Sequence, residues 1–374
     1  MGCRLKEVLR PAIFYSFSFS RNRGWTTVNP SGLGITEYLA AVCAEYQIVD
    51  KIQLNTDVRQ FQWLEDAEEW EVTLVHLAGG TGDLSERDRH AKADAEGERS
   101  VYLATEVRAK IVVSAVGGLI EPKVRPTGID AFEGEFIHTA QWKPNVDLRG
   151  KDIIVIGTGC SAAQVVPELI KPPYNAKSVT QLMRSPRVIP EILSPEQLKK
   201  WAPYSPILMR NYARKHRPIV EEHYLRYMRA QVPEKYHEIL TPDYRVGCKR
   251  RILDSGWLRS LQEPNIELIM SRLQSVQSKS VTLGPGRNYP SIMSRDDSEV
   301  PTDEVTLPAD VIILATGYET NQWLLPLRVP GKGEKDLHDL WGERGGPQAY
   351  LGVAMDKFPN FFHDHWTQHD HRTF

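Results

Sequence analysis

Residues 152–169 read DIIVIGTGCSAAQVVPEL, and this stretch decides the fold. Its β-branched run, Ile153–Ile156, is typical of a strand buried in a parallel sheet. The apolar residues from Ala162 to Leu169 recur at helical spacing. A G-x-G-x-x-A turn lies between the strand and the helix. This order predicts a phosphate-binding turn, in which the helix N-terminus presents free N–H groups to a pyrophosphate.

Six residues form the predicted dinucleotide site: Gly157, Thr158, Gly159, Cys160, Ser161 and Ala162. The first glycine permits the tight turn, the second lets the pyrophosphate approach the backbone, and the alanine allows close packing of the helix. The alternative is a glycine turn that only packs, but the flanking strand and helix favour a nucleotide.

The end of the next predicted strand, residues 178–183, indicates which nucleotide is bound. NAD sites place a carboxylate there, whereas this strand is followed by Arg184, Ser185 and Arg187. Guanidinium groups suit a 2′-phosphate, so NADPH is favoured, with Arg184 and Ser185 among its contacts. The alternative is that both arginines are solvated loop charges.

The remaining pattern alternates strands and helices, which predicts an α/β fold with doubly wound, Rossmann-like sheets. A helix is predicted at 35–46, and further strands at 58–61, 70–77, 266–269 and 311–314. Residues 78–100 have almost nothing apolar to bury and are expected to form a surface loop or a disordered insertion. The predicted domains are 1–150, 151–285 with a helical insertion at about 190–245, and 286–374.

Composition excludes several classes of protein. Lys and Arg number 46 against 48 Asp and Glu, so no basic field for nucleic acid is expected. No apolar run approaches the ~20 residues of a transmembrane segment. The four cysteines form no C-x-x-C pair, so no metal site is expected. The same cysteine usage predicts a reducing, cytoplasmic location. Nothing in the sequence indicates the oligomeric state.

A second motif lies upstream, in Phe132-Glu-Gly134-Glu-Phe-Ile-His138-Thr-Ala-Gln-Trp142. It fits F-x-G-x-x-x-H-x-x-x-W at all four defining positions and resembles the signature of Baeyer–Villiger monooxygenases, which are class B flavin-dependent monooxygenases. The four residues Phe132, Gly134, His138 and Trp142 are expected to form a structural hinge between cofactor domains, since a lone histidine is more often hydrogen-bonded than a base.

The resemblance extends from about Tyr15 to Phe362. It implies contacts of Tyr15 and Val58 with FAD. Lys249 and Arg250 stand in a segment that resembles the family's G-x-K-R. By that resemblance Lys249 contacts the NADPH 2′-phosphate and Arg250 is the catalytic arginine, whose permanent charge suits a developing oxyanion.

What the resemblance implies is a flavoprotein with two dinucleotide-binding domains, one for FAD and one for NADPH. Its reaction inserts one oxygen atom of O2 beside the carbonyl of a small-molecule ketone and gives an ester or lactone. Relatives of this plan often serve in secondary metabolite biosynthesis. The residues before Tyr15 contain no G-x-G-x-x-G turn, and residues 363–374 depart from the expected Gly-Pro-Asn contact. The FAD domain is therefore expected to be incomplete and to bind FAD weakly or not at all.

Three interpretations stay open. The first is the FAD- and NADPH-dependent monooxygenase. The second is a truncated, non-catalytic remnant that binds NADPH only. The third is a plain NADPH-dependent reductase, which the absence of a suitably placed Tyr-x-x-x-Lys pair disfavours.

Overall fold

The structure is a computed structural model. It describes residues 16–25, 30–81, 86–98, 101–117, 119, 122–123, 126, 128–143, 145–186, 217–246, 248–249, 252, 254–284, 304–319, 324 and 327–363.

The helices in these residues are α1 Gly32–Glu45, α2 Glu86–Glu96, α3 Cys160–Leu169, α4 Arg217–Gln231, α5 His237–Leu240, α6 Trp257–Ser260 and α7 Leu337–Glu343. The strands are β1 Thr56–Leu64, β2 Glu69–Leu77, β3 Tyr102–Ala109, β4 Val112–Ser114, β5 Glu135–His138, β6 Asp152–Ile156, β7 Ser178–Leu182, β8 Ile266–Ile269, β9 Arg272–Val276, β10 Ser280–Gly284, β11 Val305–Pro308, β12 Val311–Leu314 and β13 Phe361–His363.

The chain divides into two compact units. The larger unit comprises residues 1–42 and 124–317, and the smaller comprises residues 43–123 and 318–374. These limits differ from the sequence-based boundaries after 150 and after 285. The physical reason is the pairing of the strands: β5 pairs with β12, and β12 pairs with β6, all in one parallel sheet. The sequence-based boundaries assign these three strands to three different domains.

The larger unit is built on a sheet in the order β5-β12-β6-β7-β8, in which every neighbouring pair is parallel. Ile153 and Val155 of β6 pack into a cluster with α3 and α6, whereas Ile154 packs on the other face, against β9 and β10. A strand buried on both faces requires a continuous apolar run, which explains the sequence of β6.

The order of the strands creates a switch point. From β6 the chain moves through β7 to β8 on one side, and β12 lies on the other side of β6. Crevices form at the carboxyl ends of the strands where the direction changes, and these are the usual ligand sites of open α/β sheets. Gly157 follows β6 and Ala315 follows β12 at this edge.

The smaller unit has an antiparallel sheet, β1-β2-β3, and a parallel pair, β4 and β13. Its core is aromatic: Trp70 is fully buried and donates its indole N–H to the Pro359 carbonyl at 2.7 Å. The rings of Phe61 and Phe361 meet edge to face at 5.2 Å. This packing holds β13 against β1 although the two lie far apart in sequence.

The predicted strands 152–156, 266–269 and 311–314 are confirmed. The prediction of a structureless 78–100 is wrong over α2. Charged helix formers can pair along a helix without an apolar stripe, and Lys92 and Glu96 do so at 3.0 Å. The helical insertion is found at α4 and α5, while 187–216 lies outside the described residues.

Candidate dinucleotide-binding site

The glycine turn after β6 is fixed by a close approach between two backbones. Gly157 has φ +117°, and a Cβ at this position would lie 2.6 Å from the Ala315 carbonyl oxygen. The Ala315 N–H donates to the Ile156 carbonyl at 2.9 Å, so the two strand ends are held together. Both the positive φ and the contact exclude any side chain here.

A buried glutamine supports the turn from below. Gln181 is fully buried in β7 and donates its amide N–H to the Gly157 carbonyl at 2.8 Å. Its oxygen accepts the indole N–H of Trp257 at 2.7 Å. The position of the turn therefore depends on β7 and α6 as well as on β6, and sequence reasoning missed this support because neither partner is near in the chain.

The turn leads into α3, whose N-cap is Gly159. Glycine has no side chain that could accept the first N–H groups of the helix, so they remain available to an anion. Space is open on the side where Gly159 would carry a Cβ. Cys160 and Ser161 are half-buried, while Thr158 and Ala162 are buried. The structure thus brings all six predicted turn residues together at the switch point.

The carboxyl end of β7 lies at the same edge of the sheet. Here Arg184 is exposed, Ser185 is half-buried and Pro186 is buried. The Tyr244 hydroxyl donates to the Pro186 carbonyl at 3.0 Å, and Lys249 Nζ lies 4.3 Å from the centre of the Tyr244 ring. Tyr244 thereby connects Lys249, a predicted phosphate contact, with Pro186, which lies two residues after Arg184, another predicted phosphate contact.

The signature residues surround β5. A Cβ on Gly134 would lie 2.4 Å from the Asp310 carbonyl oxygen and 2.5 Å from the Phe132 ring, so the glycine permits a close approach of backbones. Phe132 packs into the cluster between the sheet and β9–β11. Trp142 packs on the opposite face and meets Tyr174 edge to face at 5.9 Å. These contacts make the motif an anchor for the edge of the sheet.

His138 ends β5 and is buried. Its Nδ1 accepts the Ala140 N–H at 3.1 Å, and its Nε2 lies 3.4 Å from Thr316 Oγ1. Burial lowers the pKa of His138, an effect that a hydrogen bond with the Gly317 backbone partly offsets. The ring therefore holds the end of β5 beside the end of β12 as a neutral, hydrogen-bonded group.

The remaining predicted residues are Val58 and three that the structure does not describe. Val58 lies in β1 of the smaller unit, half-buried and opposite Leu74. Tyr15, Arg187 and Arg250 lie outside the described residues, so their contacts stay predictions.

A cavity of about 270 Å³ lies between α4 and the segment 240–246. Its walls combine apolar side chains with charged ones; among them are Leu225, Met228, Leu240, Glu221, Asp243 and Arg245. Within the described part of the chain, no cluster of three or more potential metal ligands occurs, and no helix has the length and hydropathy needed to cross a bilayer.

The fold and the glycine turn define an α/β protein whose parallel sheet is of the kind that binds dinucleotides. Residues 84–320 match the family described as L-lysine 6-monooxygenase/L-ornithine 5-monooxygenase, and the chain belongs to this family.

The predicted fold class is confirmed by solved structures. Steroid monooxygenase bound to NADP superposes with a TM-score of 0.69 at 21% identity, covering 96% of this chain and 72% of that one. A cyclohexanone monooxygenase from Rhodococcus sp. Phi1, bound to NADP+, gives 0.69 at 21% identity, covering 96% and 70%.

Relatives in sequence confirm the resemblance to Baeyer–Villiger monooxygenases. A Baeyer–Villiger monooxygenase of Pseudomonas aeruginosa is 30% identical over 369 residues, which cover 93% of this chain and 61% of the relative. An FAD-binding monooxygenase of Aspergillus niger is 27% identical over 377 residues, covering 93% and 54%. The chain thus spans between half and two thirds of the length of these relatives.

The contact at Gly157 makes a prediction about stability. Gly157→Ala should lower the free energy of unfolding by about 2–4 kcal/mol, because the methyl group meets the Ala315 carbonyl and the backbone is left-handed. Gly159→Ala is the matched control and should change it by less than about 0.5 kcal/mol, since space is open there. Urea unfolding measures both. Equal losses of unfolding free energy in the two variants would contradict the steric contact between Gly157 and the Ala315 carbonyl.

His138 makes a prediction about pH. Its folded pKa is lowered, so the unfolded chain binds a proton at a pH at which the folded protein does not. The stability that this neutral ring contributes is full above its unfolded pKa of about 6.5 and is lost as the pH falls below it. His138→Asn keeps an acceptor for the Ala140 N–H but cannot titrate.

Unfolding free energies measured between about pH 7.5 and 5.5 should therefore fall more steeply for the wild type than for His138→Asn. Carboxylates that titrate in this range are common to both proteins and cancel in the comparison. Identical slopes would show that His138 is not held neutral by the fold.

Proposed function

We propose that this protein is an FAD- and NADPH-dependent monooxygenase of the Baeyer–Villiger type, which inserts one oxygen atom of O2 beside the carbonyl of a ketone. The observation that carries the proposal is the glycine turn at the β6–β12 switch point, joined there by the signature strand β5 through His138 and Thr316. The names of the relatives supply the reaction class.

The residues of the larger unit fit NADPH. Gly159 leaves open space in front of the N-terminus of α3, where a pyrophosphate would accept backbone N–H groups. Arg184, Ser185 and Lys249 supply the cations and the hydroxyl that a 2′-phosphate requires. In the proposal NADPH supplies reducing equivalents, and the described residues bind and orient it.

The smaller unit offers groups that fit FAD. Ser114 ends β4 and is buried, and its Oγ finds no hydrogen-bond partner among the described residues. A buried hydroxyl of this kind suits a polar ligand at the carboxyl end of a parallel strand pair. Val58 of the smaller unit is a further FAD contact that we propose from the resemblance, and so is Tyr15, which lies outside the described residues. FAD would supply the chemistry of oxygen activation.

Arg250 is the proposed catalytic residue, since its charge would stabilise the oxyanion that develops on the substrate carbonyl. We propose a small-molecule ketone as substrate. We also propose, from the family resemblance, a role in secondary metabolite biosynthesis and a cytoplasmic location; the relatives include FAD-binding monooxygenases of Aspergillus niger and Aspergillus terreus. Phe132, Gly134, His138 and Trp142 act in this proposal as the structural hinge, with little direct chemistry.

The second candidate is a non-catalytic remnant that binds NADPH only. It is favoured by the core of the larger unit, in which the sheet, α3 and α6 bury one another. The two candidates differ in whether FAD is bound and whether a ketone is oxidised.

Coenzyme binding makes the third prediction. Gly159→Ala should weaken NADPH binding about 10- to 100-fold, because the methyl group occupies the space through which the pyrophosphate would reach charged hydrogen bonds. Gly342→Ala, at another glycine with open space beside it, should leave binding unchanged. Calorimetric titration with NADPH measures both. Unchanged affinity in Gly159→Ala would place the coenzyme elsewhere.

Turnover makes the fourth prediction. Purified protein given FAD should show a bound flavin spectrum and should oxidise NADPH faster when a cyclic ketone is present. Arg250→Ala should lower the rate of ester or lactone formation at least about 100-fold, while NADPH binding persists. Arg251→Ala is the neighbouring control and should retain turnover.

Two outcomes would contradict the monooxygenase. Colourless protein that binds NADPH but takes up no added FAD would support the remnant. Turnover that survives Arg250→Ala would remove the proposed catalytic role of this arginine.

A further inference from the structure

Tyr244 occupies a position between two cationic segments. Its hydroxyl donates to the carbonyl of Pro186, two residues after Arg184, at 3.0 Å. Its ring carries Lys249 Nζ at 4.3 Å from the centroid, within the range of a cation–π contact. One half-buried side chain therefore touches both the end of β7 and the segment that contains Lys249.

The segment around Tyr244 is itself fixed to α4. Glu221 accepts the Val246 N–H at 2.8 Å and an N–H of the Arg245 guanidinium at 3.4 Å. The carboxylate that accepts both bonds is largely shielded from solvent, because only 22% of the Glu221 side chain is exposed. These two bonds fix the backbone next to Tyr244, and so they fix the position from which its side chain contacts Pro186 and Lys249.

The two cations need such a link. Arg184 is exposed and follows β7, whereas Lys249 follows a helical segment that is distant in sequence. An exposed charge such as that of Arg184 is screened by salt and gains little from a phosphate unless its geometry is fixed. A side chain that sets the distance between them controls whether both can face one phosphate group.

We propose that Tyr244 is a positioning residue that determines the preference for a 2′-phosphate, because it holds Lys249 and the Arg184–Pro186 turn in one arrangement. The inference rests on the proposed function, since it concerns the NADPH site. Tyr244 does not contact the phosphate; it acts through Lys249 and Arg184.

The test compares 2′,5′-ADP with 5′-AMP, which differ by the 2′-phosphate, in calorimetric titrations of the full chain. Tyr244→Phe keeps the ring under Lys249 and removes the hydrogen bond, so the preference for 2′,5′-ADP should fall about 3- to 10-fold. Tyr244→Leu removes both contacts, and the preference should fall about 10- to 30-fold. The affinity for 5′-AMP should not change in either variant.

Tyr227→Phe is the matched control. It also removes a tyrosine hydroxyl from the helical region, but this hydroxyl donates to Asp254 at 2.8 Å, whereas that of Tyr244 donates to Pro186. Its preference should equal that of the wild type.

The outcomes separate the two claims. If the wild type has no preference for 2′,5′-ADP, the NADPH proposal fails, and this inference with it. If the wild type prefers 2′,5′-ADP and both Tyr244 variants keep the preference, the inference alone is overturned. Equal loss of affinity for both ligands would assign Tyr244 a merely structural role and would likewise overturn it.

Discussion

The site depends on the contact between the ends of β6 and β12. The Ala315 carbonyl oxygen occupies the place in which Gly157 would carry a side chain. Because the two strands are that close, the chain after β6 must turn at once, and the N-terminus of α3 is left at the switch point. Gln181 of β7 then fixes the position of the turn through its hydrogen bond to the Gly157 carbonyl. A steric constraint between backbones thus determines where an anion would bind.

The signature motif acts on the same strand ends from the other side. Gly134 lets β5 begin beneath the Asp310 carbonyl, immediately before β12, and His138 ends β5 beside Thr316, immediately after it. Both interactions align β5 with β12, and β12 with the glycine turn. Phe132 and Trp142 pack on opposite faces of the sheet, next to this edge strand. The structure therefore gives each of the four motif residues a structural role at this edge of the sheet.

The sequence predicts the parts of this arrangement that are local. Ile153–Ile156 and Val311–Leu314 are continuous apolar runs because strands buried on both faces have no polar side, and such runs are recognisable without a partner. The glycine turn is contiguous and equally visible. Strands β9 and β10 mix polar and apolar residues, and the bonds of Gln181 and Tyr244 cross long stretches of chain. No local pattern marks such residues, because their roles arise only when distant segments meet.

The charges of the candidate coenzyme site follow the same logic. The chain carries a net charge of −2, so no general positive field draws a phosphate to it. Attraction must come from a few cations placed within a Debye length of about 8–10 Å of the anion. Arg184 is exposed, and an unconstrained side chain would lose in conformational entropy much of what it gains in a screened ion pair. In the proposed coenzyme site, discrimination between a phosphate and a hydroxyl group would therefore depend less on the number of cations than on how rigidly the backbone that carries them is held.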